Sequence, residues 1–261
     1  MISNIANSLF NAMQQATPVP PLSQTWPGLT GDDAYQVQKA FLAMRKGQRV
    51  GYKIGLTNPA VQKQLGVSEP DYGVLLDTME VPHQGLTSAR RLIAPRIEGE
   101  LAFVLGEDLD GPDISARDVL AATALVYPSL EIVDSRIIDW KITIVDTVAD
   151  NASAGQFVLG PKGVCPRDVD FELAGVTMRV NGAVESTGTT GASLGNPLHA
   201  VAWLARTMFA RHSPLRKGDL LLSGALCPMV AVRGGMHVDL EISGVGNTSV
   251  RFSDEPATPG F

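Results

Sequence analysis

Two hydrophobic periods divide the chain. Up to about residue 65 apolar positions recur mainly at helical spacing, and from Tyr72 onward short β-rich runs stand between glycine and proline turns. Residues 3–16 read as a first helix, ended by the proline-rich stretch from Thr17 to Pro21. A second helix has Thr30 as N-cap, Asp33 at its third position and an apolar stripe of Ala34, Val37, Phe41 and Met44. It stops at the turn Arg45-Lys46-Gly47. Val50 to Leu56 reads as a strand, and Asn58-Pro59 as the cap and first residue of a short helix through Leu65.

The later runs predict strands at Tyr72–Leu76, Ile97–Leu105, Ser129–Val133, Gln156–Leu159, Val176–Val180, Leu220–Leu222, Met229–Val232, His237–Ile242 and Ser249–Phe252. Asn181-Gly182 signals a hairpin turn. Two helices interrupt this region. One starts near Ser115, with Asp118 three residues on, and runs to about Leu125. The other has Asn196 as cap and Pro197 at its first position, with Leu198, Val201, Leu204, Ala205 and Met208 on the buried side. No repeat of solenoid or propeller length is present. The pattern predicts a small helical N-terminal part and a larger mixed-β part.

Composition narrows the function. The 261 residues are 44% hydrophobic and 18% charged, enough for a sizeable core. The net charge is −6 and no lysine or arginine run is present, which argues against nucleic-acid binding. No apolar run is long enough to span a bilayer, and residues 1–16 lack the pattern of a secretory signal. Cys165 and Cys227 match no metal or redox spacing, so a reduced cytoplasmic setting is expected. An acidic protein that binds an acidic molecule must overcome repulsion locally, and a bound cation is one way to do so.

Candidate chemistry lies in the apolar strands. Alternation along Ile97–Leu105 turns Glu98 and Glu100 to one face, and Ile97, Leu101, Phe103 and Leu105 to the other. Gly99 removes bulk from the opposite face. Two like charges a pleat apart repel unless solvent or a cation lies between them. Glu131 sits in a second apolar run, where a lone carboxylate needs a partner. Three carboxylates with open positions suit Mg²⁺ or Mn²⁺ better than zinc. The same Glu-Gly-Glu pattern also describes the solvent face of an antiparallel sheet.

The runs G-Y-K-I-G-L-T-N-P (51–59), E-P-D-Y-G-V-L-L-D (69–77), P-R-I-E-G-E-L-A-F-V-L (95–105) and P-S-L-E-I-V-D-S-R (128–136) resemble the fumarylacetoacetate hydrolase superfamily, and its hydratase/decarboxylase branch most. The resemblance extends from about Asp32 to Phe252. It implies an α+β fold: a small helical or α/β N-terminal region over 1–75, and a β-rich, barrel-like core over 76–261. It implies metal ligands at Glu98, Glu100 and Glu131, an active-site lysine at Lys53 and an acid at Asp71. The V-A-D-N-A-S loop, with Asp150, Asn151 and Ser153, would form a pocket wall that binds substrate. Partners implied are a small 2-oxo or 2-hydroxy acid, further copies in a pentamer or decamer, and a neighbouring pathway enzyme.

The activity implied is hydration of a five-carbon 2-hydroxydienoate to 4-hydroxy-2-oxopentanoate in the breakdown of aromatic compounds. The alternative is decarboxylation of a 2-oxo-hexenedioate. Asp139-Trp140 follows the hydratase pattern of the branch, and no histidine stands where the family's C–C hydrolases carry one. A third possibility is a non-catalytic subunit of such a complex. Lys53 is expected to be buried, with a depressed pKa that suits proton exchange; neutralising a glutamate or the substrate is its other reading. Asp71 also fits a turn after Pro70, and Asp150, Asn151 and Ser153 also fit hydrogen bonding within a structural loop. Arg96 is expected to support the glutamates from behind.

Overall fold

Residues 1–58, 62 and 68–255 are described in the computed structural model, so the helix expected after Asn58 lies almost wholly outside the described residues. Helix α1 (Ile2–Gln15) is followed by a short α2 (Leu22–Thr25) and by α3 (Gly31–Ala43). Thr30 and Asp33 close a capping box at the start of α3: each satisfies the other's backbone amide. The α3 stripe of Ala34, Val37 and Phe41 packs on Ile5 and Leu9 of α1 and on Val148 and Ala149. These helices form an apolar layer against one side of the β structure.

The strands are β1 (Arg49–Gly55), β2 (Asp71–Leu76), β3 (Leu86–Ser88), β4 (Arg96–Leu105), β5 (Thr123–Val133), β6 (Ala154–Leu159), β7 (Gly175–Val180), β8 (Ala183–Thr189), β9 (Leu220–Leu222), β10 (Val230–Ala231), β11 (His237–Ile242) and β12 (Gly246–Ser253). Three more helices are α4 (Ala116–Ala122), α5 (Ile144–Ala149) and α6 (Pro197–Ala210). One sheet runs β2-β1-β9-β4-β5-β6, with β10 also on β4, and the other runs β3-β12-β11-β7-β8. This is the β-rich α+β architecture that the sequence predicts. The strands on either side of residue 75 pair within one sheet: β1 and β2 join β9, and β9 joins β4.

Asn181 and Gly182 both have positive φ, 52° and 84°, as the tight β7–β8 hairpin requires. Helix α4 ends at Ala122, short of the expected Leu125, and β5 begins at once. Thr123 marks the change: its Oγ1 donates to the Val119 carbonyl at 2.7 Å while its backbone turns extended. Strand β5 starts six residues before the expected Ser129, and Pro128 is tolerated because the last β6 pair is Ser129 with Leu159. Helix α5 lies in a stretch that carries too little apolar periodicity to predict one.

Strand β4 is buried on both faces, so Glu98 and Glu100 do not lie on a solvent face. Gly99 faces the second sheet, where an added Cβ would come within 2.5 Å of Leu240 on β11. That close approach lets the sheets meet directly behind the two glutamates. We predict that Gly99→Val, by overpacking this contact, lowers stability by roughly 1–3 kcal/mol in urea unfolding. An unchanged midpoint would show that the sheets do not meet there.

Candidate metal and substrate site

Register places the three glutamates together. On paired strands β4 and β5, Glu98 stands directly opposite Glu131, and Glu100 follows one pleat along. One carboxylate oxygen from each lies within 4.8 Å of the other two. All three side chains are buried, Glu100 and Glu131 completely. Glu100 Oε2 accepts from the Gly224 amide at 2.8 Å, whereas Glu100 Oε1 and Glu131 Oε1 have no donor among the described residues. Buried carboxylate oxygens without donors carry a desolvation penalty that a cation would remove. The hard oxygen donor set fits Mg²⁺ or Mn²⁺.

Electrostatics point the same way. Burial, and then the charge of Glu131, push Glu98 up to about 7. Glu100 is raised well above its ordinary value, by burial first and then by Glu131 and Glu98. Glu131 is raised by burial, with Lys53 opposing.

Lys53 projects from β1 and is 4% exposed. Its Nζ lies 3.3 Å from Glu131 Oε2 and donates to the Ala152 carbonyl at 3.1 Å. The expected depression of its pKa does not hold. Burial favours the neutral amine, but Glu131, Glu98, Asp71 and Glu100 together outweigh burial and hold the ammonium above its ordinary value. Asp71, at the start of β2, is raised chiefly by burial, against the opposing charge of Lys53. Its Oδ2 accepts from Thr147 Oγ1 at 3.2 Å, and its Oδ1 has no hydrogen-bond partner among the described residues. Gly55 leaves room for this carboxylate, since a Cβ there would lie 2.1 Å from Asp71 Oδ1.

A cavity of about 260 Å³ joins these groups. Lys53, Asp71, Glu98, Thr147 and Ser153 line it, with Arg96, Trp140 and Met229 along another part of its wall. Ser153 Oγ is buried there without a partner. Arg96 does not back the glutamates as expected: its guanidinium lies over the Trp140 ring, 4.6 Å from the centroid. Trp140 Nε1 donates to the Ala94 carbonyl at 3.0 Å, while Asp139 is exposed and pairs with Lys141. Thr147 carried no distinguishing signal in the sequence.

Asp150 and Asn151 do not line this cavity. Asp150 is fully buried and forms an ion pair with Arg136, itself 2% exposed. The Asn151 side chain accepts from the Val74 amide at 2.8 Å and donates to the Val74 carbonyl at 3.0 Å, as a neighbouring strand would. Together they hold a turn in which Asn151, Ala152 and Ser153 have φ of 54°, 51° and 55°. Left-handed geometry at each non-glycine residue costs about 1–3 kcal/mol. The turn aims the Ala152 carbonyl at Lys53. Arg136 stands fourteen residues before Asp150, so no local pattern in the sequence signals this buried ion pair. The four histidines line neither this cavity nor the glutamate cluster.

The fold and the site define a β-rich α+β protein with a buried carboxylate centre beside a lysine–aspartate cavity. Residues 67–253 match the fumarylacetoacetate (FAA) hydrolase C-terminal family, and the chain belongs to that family. It is 48% identical over 250 residues to a 2-keto-4-pentenoate hydratase from Paraburkholderia xenovorans, covering 95% of this chain and 93% of the relative. A 2-hydroxyhexa-2,4-dienoate hydratase from Comamonas testosteroni is 45% identical, with coverage of 94% and 95%. The solved 4-oxalocrotonate decarboxylase from Pseudomonas putida G7, complexed with magnesium and adipate, is 34% identical with a TM-score of 0.93, over 96% of this chain and 97% of that one. No helix among the described residues is long and apolar enough to cross a membrane.

Two predictions follow from these charges. Because Glu98 is raised above 4.5 to about 7, its burial in the metal-free fold is least costly below about pH 4.5 and destabilises progressively as pH rises through 7. A cation reverses this above pH 7, so the Mg²⁺-induced rise in Tm should be larger at about pH 8 than at about pH 5.5. Equal rises would contradict the raised carboxylates. Asp150→Ala strands the buried Arg136 charge and should cost about 3–5 kcal/mol in urea unfolding; a cost near zero would mean that Arg136 is solvated.

Proposed function

We propose that this protein is a metal-dependent hydratase that converts 2-hydroxypenta-2,4-dienoate to 4-hydroxy-2-oxopentanoate. The observation that carries the reading is the cluster of three buried carboxylates, one of which, Glu98, lines the cavity together with Lys53 and Asp71. The identity to curated hydratases over nearly the full chain supports the reaction class, and the magnesium in the decarboxylase structure supports the cation. In this reading Glu98, Glu100 and Glu131 hold one Mg²⁺ or Mn²⁺. When bound, that ion would supply Lewis-acid chemistry, offsetting the substrate's acid charge and stabilising negative charge that develops at the C2 oxygen.

Lys53 and Asp71 move the protons. Asp71, kept toward its neutral form by burial, delivers a proton from Oδ1 to C5 of the dienol as C2 becomes a ketone. The C2 hydroxyl proton passes to solvent. The C3–C4 double bond is then electron-poor. Asp71, now ionised, takes a proton from the water that adds at C4. Lys53 Nζ, kept protonated by the glutamates, gives its proton to C3 and regains one from solvent. The sum is addition of one water molecule. Thr147 orients Asp71, and Ser153 Oγ offers a hydrogen bond to substrate or water. Asp150 and Asn151 act through the turn that places the Ala152 carbonyl on Lys53.

A second reading, CO₂ loss from a 2-oxo-hexenedioate, is favoured by one observation. Arg96 lines the cavity without an ion-pair partner among the described residues and offers a site for a second carboxylate. Measuring CO₂ release from the diacid against water addition to the dienoate separates the two. For the hydratase, dialysis against a chelator should abolish dienoate consumption, and Mg²⁺ or Mn²⁺ should restore it; full activity without metal would exclude the reading. Lys53→Met should lower kcat by about 10²–10⁴-fold with metal binding retained. Near wild-type turnover would remove Lys53 from the chemistry.

A further inference from the structure

Strands β1 and β2 carry a second set of functional side chains on their other face. Lys53 and Asp71 point into the first cavity, and their chain neighbours Tyr52 and Tyr72 alternate to the opposite side. There a separate cavity of about 590 Å³ lies between the sheet, α3 and the end of α6, and it shares no lining residue with the first. Its size is within the range of small-molecule sites.

The lining is amphipathic. Leu42, Val74 and Met208 give it apolar surface, and three tyrosines give it flat aromatic surface. Tyr35 stacks on Tyr72 at 4.8 Å between centroids, with 19° between the planes, and Tyr52 meets Tyr72 edge-on at 6.1 Å. Arg211 closes one side. Its guanidinium carbon stands 3.8 Å from the Tyr35 centroid, so its planar face is engaged in a cation–π contact. That contact leaves the N–H edge available, and among the described residues Arg211 forms no ion pair. Among the described residues Lys39 also lines the cavity without an ion pair, and Asp32 is the one acid in the wall. The wall therefore carries net positive charge in a protein whose net charge is −6.

A guanidinium fixed by stacking, with its donor edge open, is arranged for bidentate contact with a carboxylate. Flat aromatic and thioether surface beside it suits a ring. We propose that this second cavity binds a single-ring aromatic carboxylate, with the acid on Arg211 and Lys39 and the ring against the tyrosine and Met208 surface. The site is distinct from the carboxylate centre and stands whether or not the hydratase reading holds.

Benzoate is the probe, titrated by calorimetry into the full-length Mg²⁺-loaded protein, with excess oxalate present to compete for the first cavity. The expected result is one benzoate site per chain. Arg211→Gln should weaken it by about tenfold or more, the scale of a lost charge-assisted contact, and Lys39→Gln by a smaller factor. Benzamide, equal in shape but uncharged, should bind at least as weakly to the wild type as benzoate does to Arg211→Gln. Both substituted side chains are exposed, and circular dichroism checks that the variants fold. The proposal is overturned if benzoate shows no binding, if Arg211→Gln and Lys39→Gln bind it like the wild type, or if benzamide matches benzoate. It is equally overturned if benzoate does not bind and Arg211→Gln changes the oligomeric mass, which would make this face a contact between copies.

Discussion

Two carboxylates set opposite each other on paired strands, with a third a pleat away, cannot all be charged in a dry sheet without positive charge close by. Glu98, Glu131 and Glu100 are in that position. Lys53 offsets one charge, and burial keeps Asp71 toward its neutral form. Three carboxylates and one ammonium leave two negative charges, the amount a single divalent cation neutralises. The rest of the site is arranged around that balance. The same charges that call for a cation also keep Lys53 protonated, where burial alone would have favoured the neutral amine.

The scaffold keeps these groups dry and in register. Gly99 lets Leu240 close the back of β4, and Gly55 leaves the space that the Asp71 carboxylate fills. The ion pair of Arg136 with Asp150 and the strand-like contacts of Asn151 hold the left-handed turn at Ala152. That turn is a local cost borne by long-range interactions, a pattern found where backbone is held for function. Mixed faces on β1 and β2 put Lys53 and Asp71 on one side and a tyrosine–arginine wall on the other, so two cavities share two strands.

Much of this was legible in the sequence because it depends on short periods. Alternation along Ile97–Leu105 turned Glu98 and Glu100 the same way, and Thr30, Asn181-Gly182 and Asn196 marked their helix starts and hairpin. The direct pairing of Glu98 with Glu131 was not legible, since register across more than thirty residues is fixed by packing and not by local pattern. Within the V-A-D-N-A-S motif the sequence leaves a pocket wall and a structural loop equally open, because the direction of the Asp150 side chain follows from a buried arginine elsewhere in the chain. The direction of the Lys53 shift is hidden from local sequence for a related reason. Burial can be guessed from an apolar run, whereas the four acids that oppose it arrive from three other strands.

Mn²⁺ titration followed by electron paramagnetic resonance tests whether Glu98, Glu100 and Glu131 hold one divalent cation. One tightly bound Mn²⁺ per chain is expected in the wild type, with loss of that site in Glu131→Gln, whose fold is verified by circular dichroism. Undiminished Mn²⁺ binding in Glu131→Gln, or no bound Mn²⁺ in the wild type, would contradict that assignment.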